Sequence, residues 1–246
     1  MIGVPRTTNI MKILYRISDA GYSKVKPAYV NNESCLKNFT NVFDACDITI
    51  IADNISRETN AMIQRYVDSS SIIHVSIGHG AGTFNIALDI ALTYHEDEVV
   101  YFVENDYLHR VESPTILAEG IGLGSSFVSL YDHPDKYMNG SVGGNPYVVD
   151  GGEVTRVLRS DNCWWKLTNS TSMTFASRVA TLRKTESVMR KWTSGDHPND
   201  FSMFLELRDI GESLLTPIPG YSTHGETAWL APSPVGMNAI EYWSTV

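Results

Sequence analysis

The stretch Val99-Val-Tyr-Phe-Val-Glu-Asn-Asp106 is a short apolar run that ends in two carboxylates flanking an amide. Its first five residues are all β-branched or aromatic, which suits a strand buried on both faces. Acids at the end of such a strand are conspicuous, because in open α/β sheets ligands gather outside the carboxyl ends of the strands. Glu104 and Asp106, two residues apart, share one side of the chain and would point into that crevice. Hard oxygen ligands there suit Mg or Mn better than Zn, and such ions usually take one or two carboxylates and complete their shell from substrate phosphates. An acidic loop trailing a core strand would read the same way from this stretch alone.

Upstream, the pattern repeats. Lys12 to Ile17 reads as a strand, Glu33 to Phe43 as a helix with Leu36, Phe39, Val42 and Phe43 on one face, and Asp47 to Ala52 as a second strand ending at Asp53-Asn54. Glu58 to Val67 is helical in spacing, Ile72 to Ile77 strand-like. Gly78-His-Gly-Ala-Gly82 reads as a glycine turn, and Thr83 to Tyr94 as a helix with Ile86, Ile90 and Ala87 or Ala91 inward. Such alternation predicts an α/β fold with a mostly parallel sheet and helices on both faces.

The second half predicts a smaller mixed β region. Ser125 to Leu130, Glu153 to Arg159 and Ser172 to Ala180 read as strands, with a long loop from Tyr131 to Pro146. Thr185 to Thr193 and Asp200 to Asp209 read as helices, the latter opened by Pro198-Asn199. The tail from Ile218 to Val246 reads as irregular. No repeat or composition break marks a boundary, so residues 1–246 are expected to form one domain.

Composition narrows the function classes. At 246 residues, 43% hydrophobic and 19% charged, the chain is long enough for a sizeable core. A net charge of −9 without clustered Lys or Arg argues against a nucleic-acid surface. A small anionic ligand remains compatible if a cation bridges it to the acidic protein. No apolar run approaches the roughly 20 residues that span a bilayer, and residues 1–6 lack an apolar signal core. With Cys35, Cys46 and Cys163 in no metal or disulfide spacing, a reducing cytoplasm is expected.

Several residues carry chemistry in more than one reading. Backbone N–H groups at Gly78, Gly80 and Gly82 could approach phosphate, and Glu104 lies where the ribose-binding acid of a dinucleotide fold would lie, about 20 residues on, although the spacing is not G-x-G-x-x-G. Asp53 could accept a hydrogen bond from a base or ribose, or cap the next helix. His224, in the tail, could join a metal held by carboxylates, delivered by a mobile segment once substrate binds, or simply be solvated. Asp200 begins a helix, where the dipole favours an ionised carboxylate that can act as base or merely stabilise the helix. Trp164-Trp165 offers a sugar platform, or splits between core and surface.

Taken in order, Arg16-Ile-Ser-Asp19, Asp53, Gly78-His-Gly-Ala-Gly82, Glu104-Asn-Asp106, Asn199-Asp200 with Met203-Phe204, and His224 resemble the motifs of GT-A fold nucleotide-sugar glycosyltransferases. The run Ile13 to Pro27 further resembles small glycosyltransferases of large algal viruses and microbial sugar-polymer loci. The resemblance implies a Rossmann-like GT-A fold and a UDP- or GDP-linked sugar donor, with 11–110 as the nucleotide-binding half of the domain and 111–246 as its acceptor-binding half. It assigns Arg16, Ile17, Ser18, Asp19, Asp53, Gly78, His79, Gly80, Ala81, Glu104 and Asn105 to that donor, and Asp106 and His224 to Mn2+ or Mg2+. Asp200 becomes the base of an inverting transfer to a glycan or other hydroxyl acceptor. Glu104-Asn-Asp106 departs from D-x-D, leaving Asp106 as the safer ligand, and Pro-Asn-Asp200 departs from x-Glu-Asp. An NAD-dependent oxidoreductase using the glycine turn and Glu104, or a catalytically silent nucleotide- or carbohydrate-binding module, remains open on the same residues.

Overall fold

The computed structural model describes residues 11–20 and 24–246; residues 1–6, where a signal core was sought, and 21–23 of the loop after the first strand lie outside them. The first half alternates as expected: β1 (Lys12–Ser18), α1 (Asn32–Val42), β2 (Asp47–Asp53), α2 (Arg57–Ile63), β3 (Ile72–Val75), α3 (Gly80–Ala91) and β4 (Val99–Glu104). Next come β5 (Tyr107–His109), α4 (Ser113–Gly122), β6 (Phe127–Val128), β7 (Val157–Arg159), β8 (Trp164–Leu167) and β9 (Phe175–Arg178). The chain ends with α5 (Val179–Trp192), α6 (Asp200–Asp209), β10 (Leu214–Ile218), β11 (Ser222–His224) and α7 (Ala239–Trp243).

One nine-stranded sheet runs in the order β3-β2-β1-β4-β9-β6-β10-β8-β7, with β9 and β8 against the direction of the others, and β5 pairs separately with β11. Seven of the nine strands thus run in one direction, and every antiparallel pair of this sheet involves β8 or β9 of the second half. Val100, Tyr101, Phe102 and Val103 of β4 are all fully buried, and they alternate between two cores. Tyr101 and Val103 join Phe39 of α1, Ile63 of α2 and Leu117 of α4; Val100 and Phe102 join Phe84 of α3, Leu182 of α5 and Phe204 of α6. Each such side chain contributes about 1.5 to 3 kcal/mol on burial, which makes β4 a rigid carrier for the acidic residues at its end. The register sets Arg16 beside Glu104 and Ser18 beside Asp53, so the ends of β1, β2 and β4 form one edge.

The structure revises several local readings. The inward stripe of α3 is Phe84, Ala87, Leu88 and Ala91, with Ile86 and Ile90 only partly buried. The strand read over Ser172 to Ala180 stops at Arg178, and α5 starts at Val179 because Leu182, Thr185, Val188 and Met189 recur at helical spacing against the sheet. The tail is not irregular: β11 pairs with β5, and α7 inserts Trp243 into a small core with Tyr107 and Tyr131.

Candidate active site

A cavity of about 950 Å3 opens at the carboxyl edge of β1, β2 and β4, a size within the range of small-molecule sites. Arg16, Ile17, Ser18, Asp19, Asp53, Gly78, His79, Gly80, Glu104, Asn105, Asp106 and Asp200 all line it. Of the residues assigned from sequence, Ala81 is fully buried outside that lining, and His224 reaches the wall through Asp106.

Asp106 owes its position to the short strand β5 that comes directly after it. His109 is gripped by Asn38 of α1, which accepts from its N–H at 2.7 Å and donates to its carbonyl at 3.0 Å. The buried His109 ring packs on Phe39 and Phe43 and lies 2.7 Å from the Tyr101 hydroxyl; burial pushes its pKa down to about 3. With β5 so fixed, β11 pairs His224 with Tyr107, the His224 ring stacks on Tyr107, and Nε2 lies 3.3 Å from Asp106 Oδ2. His224 is therefore held at the acidic tip by a two-stranded sheet, not delivered by a mobile tail.

Burial alone would raise the Asp106 pKa, but His224, Lys24 and Lys26 outweigh it and hold the carboxyl well below the ordinary range. Each lysine Nζ is 3.2 Å from Oδ2. Among the described residues, no group of three or more His, Cys, Asp or Glu side chains is placed to hold a metal ion. An ionised oxygen and an imidazole nitrogen converging at one point nonetheless fit a divalent cation that takes its other ligands from substrate oxygens and water.

Glu104 and Asn105 brace the tip. Glu104 Oε1 lies 3.4 Å from Arg16 Nη2, and Oε2 accepts from the Thr174 hydroxyl. Asn105 donates to the Asn32 side chain at 2.6 Å. Arg16 also donates to the carbonyls of Gly80 and Met173, tying β1 to both neighbouring loops. Asp19 accepts from the Ser56 amide at 2.6 Å and the Thr59 hydroxyl at 2.7 Å; against burial, these contacts lower its pKa.

Asp53 does not cap α2, whose N-cap is Ser56. Its carboxylate instead accepts from the N–H groups of Ile77 and Gly78 at 2.7 and 2.8 Å, closing the turn before α3. The glycine turn is shorter than expected, since α3 already begins at Gly80. The amides of Gly78, Ala81 and Gly82 are bonded to Asp53, the Asp196 carbonyl and His79 Nδ1. Two of the N–H groups expected to approach phosphate, those of Gly78 and Gly82, thus have partners within the chain.

Asp200 sits at the start of α6, whose N-cap is Asn199. Burial first and the charge of Glu104 second push its carboxyl up to about 6, against the Phe201 amide, His224 and Lys136. The helix terminus does not keep this acid in the ordinary range, as the sequence suggested, because desolvation outweighs it. Trp165 is fully buried and Trp164 is half-exposed beneath Arg159, so the pair forms no common platform. Sequence reading missed Lys24 and Lys26, which lie in a polar loop without periodicity, and Lys136, which is buried on Asn169 and Ser170.

No family model and no curated protein matches the chain. Among solved structures it is similar to GalNAc-T7 with UDP, GalNAc and Mn2+, at TM-score 0.57 and 9% identity, over 94% of this chain and 46% of that one. The fold is GT-A-like. The chain spans about half the length of that match. It is also similar to the inositol-1-phosphate CTP transferase from T. maritima, at TM-score 0.49 and 11% identity over 96% of both chains. A further similarity is to the 2-C-methyl-D-erythritol 4-phosphate cytidylyltransferase of Francisella tularensis, at TM-score 0.48 and 16% identity over 84% of this chain and 90% of that one. No helix among the described residues is long and apolar enough to cross a membrane.

Proposed function

We propose that the chain transfers a sugar from a nucleoside-diphosphate donor of UDP or GDP type to an acceptor hydroxyl, in glycan or polysaccharide synthesis. One observation carries this reading. An ionised, buried Asp106 beside His224 and a poised Asp200 share the wall of one cavity at the carboxyl edge of the sheet. The fold held in common with GalNAc-T7, whose structure holds UDP, GalNAc and Mn2+, supports the donor class.

In this reading, residues 11–110 bind the nucleotide and residues 111–246 the acceptor. Asp106 and His224 would hold Mn2+ or Mg2+, which when bound stabilises the charge gathering on the departing diphosphate. Asp200 accepts the proton of the acceptor hydroxyl as that oxygen bonds to the anomeric carbon. The bond from that carbon to the diphosphate breaks on the opposite face, so the centre inverts. A carboxyl near 6 is ionised at neutral pH and still basic enough to take a proton in the transition state. Arg16 and Glu104 hold the tip in register, while Ser18, Asp19 and Asp53 shape the nucleotide side.

The test is release of nucleoside diphosphate from a panel of nucleotide sugars, with and without Mn2+, and with NAD+ binding as the control for a dinucleotide enzyme. Metal-dependent turnover that Asp106→Ala abolishes is expected. Turnover and metal dependence unchanged in that variant would overturn the metal assignment.

A further inference from the structure

Two ammonium groups converge on the residues assigned to the cation. Lys24 Nζ and Lys26 Nζ each lie 3.2 Å from Asp106 Oδ2, and Lys24 Nζ lies 3.0 Å from His224 Nε2. An ammonium only donates, so in the tautomer that leaves Nε2 unprotonated Lys24 competes for the lone pair that a metal ion would need, and in the other tautomer that nitrogen faces Asp106 as a donor. Both ligands of the proposed ion thus have lysine against them.

The rest of the cavity is acidic. Arg16 is committed to Glu104 and to the carbonyls of Gly80 and Met173. An anionic diphosphate entering among Asp19, Asp53, Glu104 and Asp200 needs cations that can turn toward it. Lys24 and Lys26 both line the cavity and carry their charge on long, rotatable stems.

We propose that Lys24 and Lys26 are the diphosphate-binding cations of this cavity, held on Asp106 in the free protein and turned onto phosphate oxygens once Asp106 and His224 take a divalent ion. The inference rests on the nucleoside-diphosphate reading of the site. It makes two predictions of opposite sign, because the lysines compete with metal and cooperate with phosphate.

Calorimetric titration of Mn2+ alone, and of the manganese–pyrophosphate complex, onto the wild-type chain and Lys24→Met/Lys26→Met tests both. The double variant should bind Mn2+ alone several-fold more tightly, and manganese–pyrophosphate about tenfold or more weakly, as expected for lost charged hydrogen bonds. Unchanged pyrophosphate binding, or weaker binding of Mn2+ alone, would overturn the proposal. Should the double variant fold poorly, Lys26→Gln, at the more exposed of the two, must move both affinities in the same directions. Lysine-dependent pyrophosphate binding without turnover of any nucleotide sugar would keep this assignment and remove the transferase; turnover without lysine dependence would do the reverse.

Discussion

Gly225 donates its backbone N–H to the carbonyl oxygen of Asp106 at 2.6 Å, and this contact locks the strand carrying His224 to the acidic end of β4. A Cβ at Gly225 would collide with Val30 Cγ1 and stand 2.7 Å from that same carbonyl oxygen. Gly225→Ala must push the two segments apart. Loss of about 1 to 3 kcal/mol is expected, the usual cost of overpacking. Mn2+ affinity should fall with it, whereas His224→Gln should lower Mn2+ affinity with little change in the urea midpoint. Gly225→Ala with wild-type stability and metal binding would show that β11 does not depend on this approach.

Asp200 makes a prediction about rate and one about stability. With its carboxyl at about 6, the base is present above that pH and lost as pH falls through it, so the kcat profile should decline on the acid side near 6. Asp200→Asn should lower kcat by about 100- to 10,000-fold, the usual range for a general base, while leaving donor affinity nearly unchanged. The stability sign is opposite to that of a salt-bridged acid. A folded pKa above the unfolded value, near 3.9, favours folding at low pH, and that contribution is lost as pH rises through about 6. Asp200→Asn should therefore raise the Tm at pH 7.5, and the gain should vanish below about pH 4.

How far these residues could be read from sequence depended on what held them. Asp53, Glu104 and Asp106 were legible because each ends an apolar run that becomes a buried strand, and the edge of a parallel sheet is where ligands lie. The setting of His224 was not, because β5 and β11 have three residues each and the tail around them reads as turn-forming. The glycine turn is visible in the sequence, and the structure adds local reasons for two of its glycines: Gly78 takes a φ of +86°, and a Cβ at Gly82 would collide with Ile77 Cγ2. Lys24 and Lys26 left no trace, since nothing local in a polar loop tells which acid a flexible side chain will meet.

Arg16 is expected to matter for stability before it matters for ligand. Its guanidinium satisfies the Gly80 and Met173 carbonyls and faces Glu104 from a side chain that is almost fully buried. Arg16→Met would strand these acceptors at a cost of about 3 kcal/mol, read as a lower urea midpoint. A midpoint within experimental scatter of the wild type would refute the structural role.

Glu104 offers the sharpest separation of electrostatics from contact. After burial, its charge is the largest cause of the raised Asp200 pKa, although the two carboxylates lie on different elements, the end of β4 and the start of α6. Glu104→Gln keeps the shape of the side chain and an oxygen for the Thr174 hydroxyl, and removes the charge together with its ion pair to Arg16. The acid limb of the kcat profile should then move to lower pH, away from about 6 and toward the ordinary range of an aspartate. Lys136 acts on Asp200 with the opposite sign, so Lys136→Met should move the same limb to higher pH if the buried site tolerates the change. A limb that stays in place in Glu104→Gln, in a variant that still turns over, would mean that the group titrating in catalysis is not Asp200.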